Sequence, residues 1–135
     1  MKVPTPTDLV RARWSAYALK LPDFIIETTH PDNESYDSNV TRWRLQVEAY
    51  CLRNVFYELN IVSAEDDKVS YKADILAYMS QPITMSEDSV FAQVDGEWKF
   101  LCGEVETVEH DRDEWMDARM ENSRTKIEGS AGEDS

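Results

Sequence analysis

The stretch Val47-Glu48-Ala49-Tyr50-Cys51-Leu52-Arg53-Asn54-Val55-Phe56-Tyr57-Glu58-Leu59-Asn60-Ile61 changes the period of the chain. Up to Cys51, apolar residues recur at helical spacing: Val40, Trp43, Leu45, Val47, Tyr50 and Cys51 form a stripe with a polar opposite face. That spacing predicts a helix from a Ser38 cap to about Arg53. Beyond it, Val55, Tyr57, Leu59 and Ile61 alternate with more polar neighbours, which is the signature of a half-buried strand. The same change divides the whole chain, with helices before it and strands after it.

Working back from this stretch, Thr5-Pro6-Thr7-Asp8 opens a first helix. Thr5 is the cap, Pro6 takes the first helical position, and Asp8 reaches back to the cap. Leu9, Ala12, Arg13, Ala16, Tyr17 and Leu19 follow at helical spacing, and Pro22 stops this helix near Lys20. Pro22 then opens a short second helix through Phe24, Ile25, Ile26 and Thr29, ending at His30 before Pro31. Residues 31–37 are a polar loop.

Working forward, Ala64-Glu65-Asp66-Asp67 is a turn, and Val69, Tyr71, Ala73, Ile75 and Ala77 alternate in a second strand. A third strand covers about Met85–Val94, the Asp95-Gly96 pair turns the chain, and a fourth strand carries Trp98, Phe100 and Cys102. Three helices followed by four closely connected strands predict an α+β domain, with the N-terminal helices packed on one antiparallel sheet. The compact domain is expected over residues 5–106. Residues 107–135 form an acidic tail with a weak helix at about Glu109–Ser123 and disorder beyond Ile127. Trp115, Met116, Arg119 and Met120 share one side of that helix, which docks on the domain's own sheet or on a partner.

The 135 residues suffice for one core. The net charge of −13 is uneven: residues 104–135 hold 11 acidic residues against 4 basic ones, so the remainder is only mildly acidic. Nucleic acid and anionic membrane surfaces are poor partners for such a chain, because both call for clustered Lys and Arg. No stretch approaches the ~20 apolar residues that span a bilayer. The N-terminus lacks a signal-peptide core, so the expected location is the cytoplasm, or an organelle interior after removal of a transit peptide. Cys51 and Cys102 sit in apolar surroundings and are expected to be reduced and buried. With His30 and His110 the only histidines, no metal site and no cofactor are expected. Asp111-Arg112-Asp113-Glu114 lacks the glycine and ligand spacing of a calcium loop.

Chemistry is carried by fewer residues. In the third strand Met85, Glu87, Ser89 and Phe91 share a face, and apolar Phe91 marks it as the helix-covered one. Glu87 and Ser89 then point into the interior. A buried Glu must be paired or neutralised. Either Arg11 or Arg13 on the first helix locks it in an ion pair, or it serves as a general base with Tyr17 or His30 as donor. A third use is to anchor a bound ligand. His30 either bonds the end of the second helix or takes part in chemistry. Trp43, Trp98, Phe100, Tyr57 and Tyr71 read as core or pocket lining.

Three blocks resemble a known family. "LVRARWSAY" at Leu9–Tyr17 is similar to a family segment of the type LMRSRYSAY, with Trp14 in place of the usual Tyr. "TTHP" at Thr28–Pro31 is the second, and "MSEDSVFAQVDGEWKFLCGE" at Met85–Glu104 is the third. In order along the chain, they resemble the middle domain of the YchJ family, which is similar to the nuclear-transport-factor-2-like, or cystatin-like, cone. The resemblance implies a curved sheet wrapped around a cavity that opens at one end. Family members commonly carry a cysteine-rich SEC-C zinc motif at the termini; this chain has none, and the acidic tail stands in its place.

Two functions fit. One is a non-enzymatic binding or protein-interaction module, self-associating through its sheet as a homodimer or meeting a protein partner. The other is a small-molecule pocket or enzyme of the isomerase or dehydratase type, with Glu87 as base, by analogy of fold. Catalytic candidates are Glu87, His30 and Tyr17; ligand-binding candidates are Arg11, Arg13, Tyr17, His30, Glu87, Ser89 and Trp98. An open cavity with an unpaired Glu87 on its wall favours the second, and a filled cone favours the first.

Overall fold

The computed structural model describes residues 3–121. Helices α1 (Pro6–Ala18), α2 (Pro22–Glu27) and α3 (Val40–Arg53) precede strands β1 (Asn54–Glu65), β2 (Lys68–Ala77), β3 (Pro82–Val94) and β4 (Glu97–Glu109). The strands form one antiparallel sheet in the order β1-β2-β3-β4. The fold is α+β. A fourth helix, α4, spans residues 112–121 at the end of the described chain. The disorder expected beyond Ile127 lies outside the described residues.

Local chemistry explains the boundaries. Thr5 Oγ1 accepts the Asp8 N–H at 3.2 Å, and its hydroxyl donates to the Asp8 carboxylate at 2.9 Å, closing the first turn of α1. α3 starts one residue later than expected. Its cap is Asn39, whose side chain accepts the Arg42 N–H at 3.1 Å, while Ser38 is exposed. α2 ends at Glu27, short of Thr29, because the chain peels away to bridge β4: Phe100 N–H donates to Thr28 O and His30 N–H to Phe100 O. At the β3–β4 hairpin Asp95 and Gly96 both have positive φ (52° and 80°), the geometry in which a two-residue turn follows the twist of its strands.

Three bulges, at Tyr57 and Val62 of β1 and at Leu101 of β4, change which residues face inward. Phe56 pairs with Ile75 and Glu58 with Asp74, so Tyr57 is an extra residue in β1. Phe56, not Val55 or Tyr57, therefore joins the face of Leu59 and Ile61. In β4, Phe91 pairs with Phe100 but Val90 with Cys102, so Leu101 is extra. Beyond it Gly103, not Cys102, takes the inward face, and Cys102 is exposed rather than buried. Cys51 is buried.

Two clusters make the core. Ala16, Ile25, Trp43, Val47 and Cys51 pack among the helices; Leu9, Val10, Val69 and Phe91 pack between α1 and the sheet. Val40, Leu45 and, to a smaller extent, Tyr50, expected in the α3 stripe, and Leu19 just past the end of α1 are exposed. α2 covers only part of α3, which leaves that side of the stripe to solvent.

α4 lies on the opposite face of the sheet from α1. Trp115 is buried edge-on against the Tyr57 ring at 4.8 Å. Arg119 stacks over Trp115 at 4.0 Å and pairs with Asp74 of β2 at 2.6 Å. Tyr57 thus belongs to this outer face rather than to a pocket. Met116 and Met120, expected beside Trp115, are exposed. Trp115→Ala is expected to release α4 while lowering global stability by only about 1 kcal/mol, since a terminal helix opens locally. Hydrogen exchange checks this: amides 115–121 lose protection, and those of β2 and β3 keep theirs.

Candidate functional site

A cavity of about 180 Å³ lies between α1, α3 and the inner face of the sheet. α1 supplies Val10, Arg13, Trp14 and Tyr17, which recur at intervals of three and one along one helical side. Tyr50 of α3, with Phe56 and Leu59 of β1, closes a second wall. The floor is Tyr71 and Ile75 of β2, with Met85, Glu87, Ser89 and Phe91 of β3 at every second residue. Phe100 of β4 completes it.

Half of the lining residues are aromatic, and one carries a carboxylate. The Trp14 and Phe56 rings meet edge-on at 5.3 Å, and Tyr17 stacks on Phe56 at 5.8 Å and meets Tyr50 at 5.6 Å. Into this wall Glu87 projects without a cationic partner among the described residues. Tyr71 Oη donates to its Oε1 at 2.8 Å, and Ser89 Oγ donates to the same oxygen at 2.6 Å. Oε2 makes no hydrogen bond to a described residue. Room for the side chain comes from Gly103 across the strand pair, where a Cβ would lie 2.9 Å from Glu87 Cδ.

The ion pair between Glu87 and an arginine does not form. Arg13 instead turns to the end of α2, where Nη1 donates to Ile25 O (3.1 Å), Thr28 Oγ1 (2.7 Å) and Thr29 Oγ1 (3.3 Å). Those acceptors lie where the helix dipole favours a cation. The guanidinium also lies over the Phe100 ring at 5.1 Å, a cation–π contact. "LVRARWSAY" and "TTHP" thus meet at Arg13, and the third block brings Glu87, Ser89 and Phe100 to the same cavity.

Burial pushes the phenols up. Tyr71 is raised by burial first and then by the charge and hydrogen bond of Glu87. Tyr50 is pushed up to about 12, again chiefly by burial. Tyr17 is raised by burial, against the opposing pull of Arg13. Near neutral pH these three phenols keep their protons, and that of Tyr71 donates to Glu87. The sign of the linkage follows. Unfolded tyrosines lose protons from about pH 10 while the folded ones hold them, so this contribution is intact below pH 10 and is lost as pH rises through the folded values. Urea midpoints are expected to stay level from pH 8 to pH 9.5 and to fall steadily above about pH 10.

Of the residues singled out in the sequence, Arg13, Tyr17, Glu87 and Ser89 come together here. Arg11 is exposed on α1 and stays outside the cavity. Trp98 packs on the second core cluster, toward the start of α1 and the β1–β2 turn. His30 is also outside, and its ring does not bond the end of α2: Nδ1 accepts the Asp32 N–H at 3.0 Å. Trp14, Tyr50 and Phe56 were not among the site candidates. For Phe56 the strand period pointed to the wrong face; Trp14 and Tyr50 carry no chemical signature beyond aromaticity. Among the described residues no group of three or more His, Cys, Asp or Glu side chains is placed to hold a metal ion.

The architecture is that of a nuclear-transport-factor-2-like cone, with helices leaning across one sheet around an internal cavity. The family described as "YchJ, middle NTF2-like domain" matches residues 5–103, and the chain belongs to that family. The chain is 35% identical over 99 residues to a UPF0225 protein of Deinococcus radiodurans, covering 73% of this chain and 68% of that one. It is 28% identical over 106 residues to a UPF0225 protein of Photorhabdus laumondii, covering 73% of this chain and 64% of that one. The match therefore spans about two thirds of these relatives. Among solved structures, a SEC-C motif containing protein of Rhodopseudomonas palustris superposes with a TM-score of 0.61 at 30% identity, over 74% of this chain and 77% of that one. Among the described residues no helix is long and apolar enough to cross a membrane.

Proposed function

We propose that the domain is a binding module whose cavity takes up a small molecule, with Glu87 as the recognising group. One observation carries this reading. The Glu87 carboxylate stands on the wall of an open cavity, held through Oε1 by two neutral hydroxyls, with Oε2 left for a donor on the ligand. A buried strut would be expected to spend both oxygens on a cation. The mostly apolar lining around a few converging polar groups is the usual composition of a ligand site. Of the two donors that an isomerase or dehydratase reading calls on, Tyr17 lines the cavity and His30 does not.

We place the protein in the cytoplasm, where the exposed thiol of Cys102 would stay reduced. Association with a second copy or a protein partner through the sheet would use the surface that α4 leaves open. The test is a fragment screen by two-dimensional NMR. Binding fragments are expected to shift the amides of Tyr71, Glu87 and Gly103 together. A broad library of small polar fragments that shifts none of them would contradict the reading.

A further inference from the structure

Glu87 is not the only charged group on the cavity wall. Arg13 lines the same space, and among the described residues no ion pair joins it to Glu87 or to any other carboxylate. Three of its hydrogen bonds leave from one nitrogen and end on a carbonyl and two hydroxyls, and a further one involves the Tyr17 hydroxyl, so all its partners are uncharged. One cation and one anion therefore face one small volume, and neither neutralises the other by contact.

We infer that the ligand is a small zwitterion, its cationic end on Glu87 and its anionic end on Arg13. This deepens the small-molecule reading and rests on it. The charges argue by exclusion. A simple amine entering the cavity meets the always-charged guanidinium, and a simple carboxylic acid meets Glu87. A molecule with both charges places each against its opposite, and its net charge is zero. The aromatic faces add a preference for the cationic end, because an ammonium or methylated ammonium is attracted to ring faces such as those of Trp14, Tyr17 and Tyr50. Size sets the scale. A cavity of about 180 Å³ is comparable to the ~150 Å³ that accepts benzene, which limits the ligand to on the order of six to ten non-hydrogen atoms. The way in is consistent with this polarity. A wider cleft of about 600 Å³ lies on the other side of Arg13 and shares Tyr17, Tyr50 and Phe100 with the cavity, so the anionic end would remain nearer solvent.

The experiment is an NMR titration of the whole chain with five probes. Glycine betaine, β-alanine and 4-aminobutyrate are net-neutral zwitterions; butyrate and butylamine are the matched anion and cation. At least one zwitterion is expected to shift the Tyr71, Glu87 and Gly103 amides with a Kd at least tenfold below those of butyrate and butylamine. In Glu87→Gln, whose amide oxygen still accepts from Tyr71 and Ser89, the preference for that zwitterion over butyrate is expected to shrink to less than threefold. Butyrate or butylamine binding the cavity as tightly as the best zwitterion would overturn the inference and leave the small-molecule reading standing. The same holds if none of the five binds but an uncharged fragment does. If neither these probes nor any fragment shifts the cavity amides, both readings fail.

Discussion

Arg13→Ala is expected to lower the unfolding free energy by about 3 kcal/mol, the upper part of the range for hydrogen bonds to a charged donor. Arg13 ties three acceptors at the end of α2 to α1 through one nitrogen and lies over Phe100. Thr28 and Thr29 also reach back to Phe24 O and Ile25 O, so those groups keep partners after the substitution. This keeps the loss below that of a fully orphaned buried network. For a domain of this size such a loss moves Tm by roughly 10–15 °C. Arg13→Lys is expected to recover about half of it, because an ammonium supplies the charge without the planar stack on Phe100. Thermal unfolding of the three proteins, side by side, checks the order Arg, then Lys, then Ala.

Phe91→Ala is expected to cost more, about 4 kcal/mol, within the usual range for removing a core phenylalanine. Phe91 is only 2% exposed, sits in the cluster between α1 and the sheet, and meets the Phe100 ring at 5.8 Å. Its loss opens volume directly beside the existing cavity, so the site has little chance to collapse around the gap. Urea unfolding checks the magnitude. An unchanged m-value would show that the loss lies in the folded core rather than in the compactness of the unfolded chain.

Much of the architecture was legible because local chemistry and period agreed. Thr5-Pro6-Thr7-Asp8 carries its own cap, Asp95-Gly96 its own turn, and the change of spacing near Arg53 divides helices from strands. β3 alternates without an extra residue, so period two places Glu87, Ser89 and Phe91 on one face. The errors have two physical origins. Bulges at Tyr57 and Leu101 slip the alternation by one, which turned Tyr57 and Cys102 outward and brought in Phe56 and Gly103. No residue type in those strands announces an inserted position. The second origin is competition for a cation. Spacing on α1 made Arg13 available to Glu87, but the folding back of α2 against α1 and the bridge between Thr29 and Phe100 set competing acceptors beside it. The bridge is a long-range pairing with no local signal. The role of Tyr71 as donor to Glu87 has the same character: it depends on the register Tyr71–Glu87 across two strands.

In the proposed binding role, Glu87 is held ready for a ligand and is not one half of a structural ion pair. The unfolding free energy of Glu87→Gln tests it most directly. A glutamine keeps the shape and an oxygen for Tyr71 and Ser89, so a change of no more than about 1 kcal/mol is expected. A loss of about 3 kcal/mol or more would be the mark of a broken buried ion pair and would contradict it.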